Sequence, residues 1–369
     1  MRIVDFGKTG YRVSRLGFGI MRLPTHPDQT VDFDLATSMI RHALDHGVNF
    51  LDTMHFYHQG QSEEAVGRAI AGYPRDQLVL QTKIGMYNEY KEKDCRKLLE
   101  EALRKMGTSH IDFYLSHSLT WDVYRQKERL FTRFTAKALR EGLIRLIGFS
   151  SHDTPENIGR LIKTGVFSAL TIQYNLLDRR NEQVLELAYK SGLGTVVMGP
   201  VAGGLLGDAD GEILTLADRQ TSSTAALALR FVMANPSVNV VLSGMSTLDQ
   251  VKENLRVVAP DKPLSRAALR RLEALFEERR KLTALYCPAC GYCQPCPRKI
   301  NIPHVFRLYN LARVYGLTRK AAERYYRIPA AERASACTGC GRCVKKCPQK
   351  LSIPKRLAEI ACFFESGAL

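Results

Sequence analysis

The chain has 369 residues, 45% of them hydrophobic and 24% charged, which excludes a disordered or fibrous polymer and suits one large domain with a smaller appendage. Its net charge of +16 is unevenly placed: residues 1–283 hold 38 Lys and Arg against 33 Asp and Glu, whereas residues 284–369 hold 15 against 4. Nine of the ten cysteines also fall in that last stretch, so a domain boundary is predicted near residue 284, giving domains 1–283 and 284–369. The first residues lack an apolar core long enough for a signal peptide. The longest charge-free run, Phe231–Leu248, is broken by Asn235-Pro236-Ser237 and Asn239. A cytoplasmic protein without a membrane span is expected.

Arg2–Phe6 and Tyr11–Val13 flank Gly7-Lys8-Thr9-Gly10, which predicts an opening hairpin. Strand-like runs follow at Arg15–Phe18, Val48–Asp52, Leu78–Thr82, Ile111–Ser116, Ile144–Phe149, Ala169–Gln173, Gly194–Met198 and Val238–Leu242. Helical patterns alternate with them at Phe33–Gly47, Ser62–Ala71, Asp94–Gly107, Pro155–Gly165, Asp178–Ser191, Thr221–Ala234 and Leu248–Val257. Several strands are continuous apolar runs, as parallel strands buried on both faces require. Eight strands, nearly all followed by a helix, predict a closed (β/α)8 TIM barrel, an α/β fold. No G-x-G-x-x-G opens a helix, which disfavours a Rossmann cofactor site.

In such barrels the chemistry sits where strands end. The second strand ends in Asp52 with Tyr57 five residues later, the third in Lys83, and the fourth in His117. Four ionisable residues from three consecutive strands therefore converge on one mouth.

The segments GVNFLDTMHFYHQGQSEEAVGRAI, LVLQTKIG, HIDFYLSHS, IRLIGFSSHD, IQYNLLD and VVLSGMSTLDQVKENL resemble the aldo/keto reductase family in order and spacing. The resemblance maps that family's tetrad onto Asp52, Tyr57, Lys83 and His117, and so implies carbonyl chemistry. A carbonyl that accepts hydride develops oxyanion character and needs a proton donor. Tyr57, with an ordinary pKa near 10, would need a neighbouring cation to depress it. Lys83 would supply that charge, Asp52 would hold Lys83, and His117 would hydrogen-bond the carbonyl oxygen. The resemblance also implies NADPH or NADH as cofactor, with Ser150, Ser151, Thr171, Gln173, Gly244, Ser246, Gln250, Glu253 and Asn254 at the contacting positions. Several of these depart from the family pattern: Ser150-Ser151 stands for Ser-Asn, Thr171 for Gln, and Met198 for the aromatic that stacks on the nicotinamide. Ser246 replaces a basic residue that pairs with the 2′-phosphate, so weak discrimination between NADH and NADPH is expected.

Cys287-x2-Cys290-x2-Cys293-x2-Cys296-Pro297 is followed by Cys337-x2-Cys340-x2-Cys343-x3-Cys347-Pro348. Three cysteines at this spacing wrap three corners of a cubane cluster, and the Cys-Pro cysteine reaches the other cluster. Two [4Fe–4S] clusters are predicted, one on Cys287, Cys290, Cys293 and Cys347, the other on Cys337, Cys340, Cys343 and Cys296. Zinc is the rival, but zinc pairs are rarely extended to four close cysteines ending in Cys-Pro. CPRKINIP recurs as CPQKLSIP, 51 residues on, with Asn301 and Ser352 placed as helix caps and Pro303 and Pro354 in the first turns. Helices are expected at about 304–315, 318–327 and 354–364, with Cys362 in the core and Cys95 incidental. This part resembles the α-helical ferredoxins, and the whole chain resembles aldo/keto reductases that carry a C-terminal ferredoxin domain. Before it, Ser265 caps an expected helix reaching about Thr283.

The leading expectation is an oxidoreductase that reduces a small-molecule carbonyl, or oxidises an alcohol, and exchanges electrons through the clusters. The alternatives are an electron-transfer subunit whose barrel has lost reductase activity, and a nucleotide-sensing barrel that signals through a protein partner. After the clusters offset part of the carboxy-terminal charge, the remaining basic residues read as a solvated helix face, with docking of an acidic ferredoxin-like electron partner as the alternative. No nucleic-acid motif accompanies the basic residues.

Overall fold

The computed structural model describes the chain apart from residues 87, 203–205, 207–213, 215–216, 219–220, 283–292, 348–350 and 367–369. By backbone contacts it divides into two units: Met1–Gly207 with Ala225–Leu264, and Asp208–Thr224 with Ser265–Leu369.

The first unit opens with the expected antiparallel hairpin, β1 (Ile3–Asp5) on β2 (Arg12–Ser14). The barrel strands are β3 (Leu16–Gly19), β4 (Phe50–Asp52), β5 (Val79–Ile84), β6 (Ile111–Ser116), β7 (Ile144–Ser151), β8 (Ala169–Gln173), β9 (Gly194–Met198) and β10 (Val240–Gly244). All eight pair in parallel, each with its sequence neighbour, and β10 closes on β3. The helices are α1 (Phe33–Asp45), α2 (Ser62–Ile70), α3 (Glu92–Met106), α4 (Trp121–Arg140), α5 (Pro155–Lys163), α6 (Glu182–Lys190), α7 (Thr224–Met233) and α8 (Leu248–Val258). The sequence reading passed over α4, which is strongly basic and keeps only a narrow apolar stripe of Tyr124, Phe131, Phe134 and Ala138.

Phe6, after β1, inserts among Phe50, Phe113, Leu115 and Val240. Its ring meets Phe113 edge-on at 4.9 Å. A Cβ at position 194 would collide with the Phe6 ring at 2.4 Å, so Gly194 is what admits this plug. Burying such an aromatic removes a large apolar surface from water and contributes about 2–3 kcal/mol. Side-chain caps start several of the helices: Asp32 accepts from the Leu35 amide at 3.0 Å and Thr247 from the Gln250 amide at 3.2 Å. Each such cap contributes about 1 kcal/mol.

Small boundary differences have local causes. The backbones of Asn175 and Asp178 exchange two hydrogen bonds of 3.1 Å, a tight turn that delays α6 to Glu182. Arg15 falls just before its strand because its backbone N–H donates to the Arg2 carbonyl at 3.1 Å instead of joining the barrel ladder; its guanidinium holds the carbonyls of Met233 and Val238.

The second unit contains α9 (Arg266–Leu282), α10 (Ile302–Tyr315), α11 (Thr318–Tyr326), the short α12 (Arg342–Lys346) and α13 (Ile353–Glu365). Ser265 caps α9 as expected, its hydroxyl accepting from the Ala268 amide at 3.1 Å. Asn301 caps α10 the same way, at 3.2 Å from the His304 amide. Ser352 stands at the N-cap of α13 as expected, with Pro354 in the first turn, but its side chain makes no cap hydrogen bond. Tyr325 stacks on Phe364 at 4.4 Å, above a core that includes Phe306, Leu357 and Ile360. Cys362 departs from expectation: it is exposed, while Ile360 and Phe364 on the same helix are buried. Cys95 is fully buried in α3, and burial pushes its thiol up to about 11, leaving an inert core residue. Among the described residues no helix is long and apolar enough to cross a membrane.

Candidate active site

The carboxyl ends of the strands surround a cleft of about 630 Å³, within the range that holds small molecules and cofactors. Asp52, Tyr57, Lys83 and His117 all line it. Asp52 is the last residue of β4 and Lys83 the fifth of β5, so both point inward from neighbouring strands. Tyr57 stands in a 3-10 turn after β4, which Ser62 ties back by donating to the Met54 carbonyl at 2.9 Å.

The Lys83 ammonium donates to Asp52 Oδ1 at 2.7 Å and to the Thr53 carbonyl at 2.9 Å, and lies 5.2 Å from the centre of the Tyr57 ring. Burial alone would lower the Lys83 pKa, but Asp52 and Tyr57 outweigh it and hold the ammonium above the usual lysine value. For Tyr57 the balance differs from the sequence expectation. Burial raises the phenol; Lys83 pulls it down only in part, and Asp52 adds to the rise. The phenol is therefore fully protonated at neutral pH, next to a permanent cation. Burial, then Lys83, His152 and His55, press His117 down to about 3, so its ring is neutral.

The ring is anchored by its neighbour. Ser150 Oγ accepts the Ser118 amide at 3.0 Å and lies 3.2 Å from His117 Nδ1. A hydroxyl keeps its proton and a second lone pair after accepting one bond, so this contact serves either tautomer; with the Ser150 proton on Nδ1, the ring proton sits on Nε2.

Several site residues were not singled out in the sequence. Gln81, two residues before Lys83 and so on the same strand face, donates to Asp52 and, at 3.2 Å, to Thr171 Oγ1. Phe56 and Met21 line the cleft as exposed apolar groups, and His152 lines it beside Ser150. Arg22 lines it as well: a Cβ on Gly244 would come within 2.8 Å of the Arg22 Cγ, and Ser246 Oγ donates to the Arg22 carbonyl at 2.8 Å. A basic side chain thus stands beside Ser246, supplied by the loop after β3. Glu63 sits outside the barrel wall, where it accepts from the outward Thr82 hydroxyl at 2.8 Å; burial pushes its carboxyl up to about 7.

Of the cofactor positions, Ser150, Thr171, Gln173, Gly244, Ser246, Gln250, Glu253 and Asn254 line this cleft, with Met198 and Pro200. Ser151 is fully buried and its hydroxyl is spent on the Leu119 carbonyl at 2.6 Å. Gln250 Oε1 accepts the Ser246 amide at 2.8 Å, and Asn254 donates to Ser243 at 2.9 Å. A cleft that runs from the buried ammonium to the start of α8, with Arg22 at that end, suits an elongated anionic dinucleotide.

In the second unit five cysteines, Cys293, Cys296, Cys337, Cys340 and Cys343, line one cavity, although the sequence assigns Cys293 to the other cluster. Burial, followed by the neighbouring Cys337, Cys340 and Cys296, raises the Cys343 thiol. Among the described residues no three Cys, His, Asp or Glu are gathered tightly enough to hold a single metal ion. Several cysteines around one cavity are the type of donor set that an iron–sulfur cluster takes. Cys347 is not in the lining, and Cys287 and Cys290 lie outside the described residues.

A model of the aldo/keto reductase family matches residues 15–277, and a model of the 4Fe-4S dicluster domain matches residues 286–353. Among curated proteins, the uncharacterized oxidoreductase YqkF of Bacillus subtilis is 27% identical over 69% of this chain and 90% of its own length. The NADH-specific methylglyoxal reductase of Escherichia coli is 25% identical over 69% of this chain and 93% of its own. The solved holo form of aldo-keto reductase AKR11C1 from Bacillus halodurans is similar with a TM-score of 0.64 and 29% identity, covering 74% of this chain and 96% of that one.

Proposed function

Because this chain belongs to the aldo/keto reductase family and carries a separate iron–sulfur domain of the 4Fe-4S type, we propose that it is an NAD(P)H-dependent oxidoreductase that reduces a small-molecule carbonyl, or oxidises the alcohol, at the barrel mouth. It also exchanges electrons through two [4Fe–4S] clusters in the domain that starts near residue 284. The observation that carries the reading is the buried Lys83 ammonium, held by Asp52 beneath Tyr57 and facing the same cleft as His117. A pure electron carrier or a nucleotide sensor has no use for such a pair, whose desolvation costs several kcal/mol per ion.

NADPH or NADH, when bound, supplies the hydride. The protein's own groups do the rest. His117 donates its Nε2 proton as a hydrogen bond to the carbonyl oxygen and orients it. Tyr57 gives its phenolic proton to that oxygen as negative charge develops there, and the Lys83 ammonium stabilises the phenolate left behind. Asp52 and Gln81 are positioning residues that keep the ammonium in place. Arg22, Ser246 and Gln250 hold the phosphate-bearing end of the cofactor, and Ser150, Thr171 and Gln173 supply polar groups for its carboxamide.

Cys296, Cys337, Cys340 and Cys343 would hold one cluster, and Cys287, Cys290, Cys293 and Cys347 the other. Each cluster stores one electron, so two of them match in number the two electrons of a hydride. The surplus positive charge of this domain suits an acidic ferredoxin-like partner, and the cytoplasm is the compartment that keeps such thiolates available. The testing experiment is anaerobic: the purified protein should quench or shift NADPH fluorescence on binding and oxidise NADPH when given a carbonyl. Tyr57→Phe should abolish only the second.

A further inference from the structure

Two short segments carry the thiols of the described cluster cavity, residues 293–301 and 336–347. Together they hold five basic residues, Arg298, Lys299, Arg342, Lys345 and Lys346, and no acidic one. All five are exposed, and no described carboxylate pairs with any of them. Arg298 and Arg342 line the cavity, while Lys299, Lys345 and Lys346 do not. This division matters for what the charge is for. A cubane core with four thiolates carries about −2 in its oxidised state. The two cavity arginines are enough to offset it, which leaves the three lysines as surplus charge of about +3 facing solvent.

Of the thiols that line the cavity, Cys340 is the one open to solvent. It is exposed, whereas Cys296, Cys337 and Cys343 are partly covered. It stands between Gly339 and Gly341, both in the left-handed backbone region (φ 69° and 70°), and a Cβ at either would meet nothing within 4 Å. At this corner no side chain holds an approaching surface away from the sulfur. An open thiol corner in segments that also carry exposed cations is what a one-electron contact between proteins needs: close approach for the electron and charge for the encounter.

We propose that the face around Cys340, bounded by Lys299, Lys345 and Lys346, docks a small acidic electron-carrier protein. This rests on the reading that Cys296, Cys337, Cys340 and Cys343 hold a [4Fe–4S] cluster. One electron leaves the reduced carrier, whose own iron–sulfur centre is thereby oxidised, and enters the cluster beneath Cys340. No bond is made or broken, and no proton moves.

The test uses the full chain, purified without oxygen, and a plant-type [2Fe–2S] ferredoxin of net negative charge as probe, because its visible spectrum differs from that of a cubane. Affinity is measured across a salt series, and cluster reduction is followed in a stopped-flow spectrometer with reduced ferredoxin or with dithionite. The parent should bind the ferredoxin more weakly as salt rises. Lys299→Glu combined with Lys345→Glu and Lys346→Glu should lower affinity and reduction rate about tenfold or more. Iron content and reduction by dithionite should not change. Reversing Lys93, Lys163 and Lys252, exposed on the barrel helices, alters net charge equally and should leave both quantities within about twofold. If the Glu variant loses iron, the corresponding Lys→Gln variant is read instead, with a smaller loss in the same direction.

A parent that does not bind the ferredoxin overturns the proposal, as does an equal loss in the barrel control. Tighter binding of a DNA duplex through the same three lysines also overturns it. A preparation that contains zinc or no iron fails earlier and sinks the cluster reading itself.

Discussion

The Lys83 ammonium meets the Asp52 carboxylate at 2.7 Å with both side chains almost wholly buried, 3% and 5% exposed. A buried pair of this kind contributes little net stability compared with an apolar pair of the same shape, but breaking it from one side leaves a bare charge in the barrel. Asp52→Asn should therefore cost about 3–5 kcal/mol, and Lys83→Met with Asp52→Asn should cost less than Asp52→Asn alone. Thermal unfolding of the two single variants and the double variant checks this. Additive losses would show that the pair does not act as a unit.

Two buried groups should give stability opposite slopes with pH. His117 has its folded pKa pressed down to about 3. Between there and the ordinary histidine value the unfolded chain binds the extra proton, so stability falls as pH drops through that window. Glu63 has its folded pKa pushed up to about 7 by burial. Its folded state binds the extra proton above the ordinary glutamate value, so stability falls as pH rises towards 7. Glu63→Gln should remove that second loss, on the order of 1–3 kcal/mol at pH 8, without altering carbonyl reduction. Denaturant melts at pH 5 and pH 8 measure it. An unchanged pH 8 stability would show that the carboxyl ionises at no cost.

The raised Tyr57 phenol sets the direction of the chemistry. A protonated phenol suits carbonyl reduction at neutral pH, whereas alcohol oxidation needs it deprotonated. The oxidation rate should climb with pH up to the highest pH at which the protein is stable, while reduction stays level from about pH 5 to pH 8, since neither His117 nor Tyr57 changes state there. Steady-state rates in both directions would show this, and an oxidation rate independent of pH would contradict it.

Much of this site was legible in the sequence because strand ends are predictable from apolar runs, and residues at those ends share one mouth. Asp52, Lys83 and His117 were placed by that rule alone. Gln81 obeys the same period of two as Lys83 and was legible but unread. Arg22 was not: it reaches Ser246 only because β10 closes on β3, and that contact is set by barrel closure rather than by sequence distance. The helix Trp121–Arg140 was hidden by its basic surface, which thins the apolar period to a narrow stripe. Cys362 was misplaced because an apolar helix end does not say which of its faces turns inward.

Arg22 bears on the expectation of weak cofactor discrimination. It adjoins Ser246, whose hydroxyl donates to the Arg22 carbonyl, and brings a basic residue to that end of the cleft from the loop after β3. Arg22→Ala should weaken NADPH binding about tenfold, in keeping with loss of one charged hydrogen bond at a partly solvated site. NADH binding should fall equally if the arginine holds the pyrophosphate, and much less if it holds the 2′-phosphate. Fluorescence titration with both cofactors separates the two, and unchanged binding of both would remove Arg22 from the site.

For the clusters, anaerobic protein should carry close to eight iron atoms per chain, on the order of four per site. Cys343→Ala should lose about half of the iron. Cys362→Ala, which alters an exposed thiol outside both motifs, should lose none. Iron and zinc analysis decides between the readings: stoichiometric zinc, or iron loss in the Cys362 variant, would contradict the assignment.

The most direct test of the account is Tyr57→Phe, measured for NADPH affinity and for a single turnover of carbonyl reduction. The ring and its packing against Phe56 and His117 survive this change; only the proton is removed. The account requires NADPH affinity within about twofold of the parent and a single-turnover rate lower by at least about a hundredfold, the usual weight of a general acid. A Phe variant that reduces the carbonyl at the parent's rate would place the chemistry elsewhere.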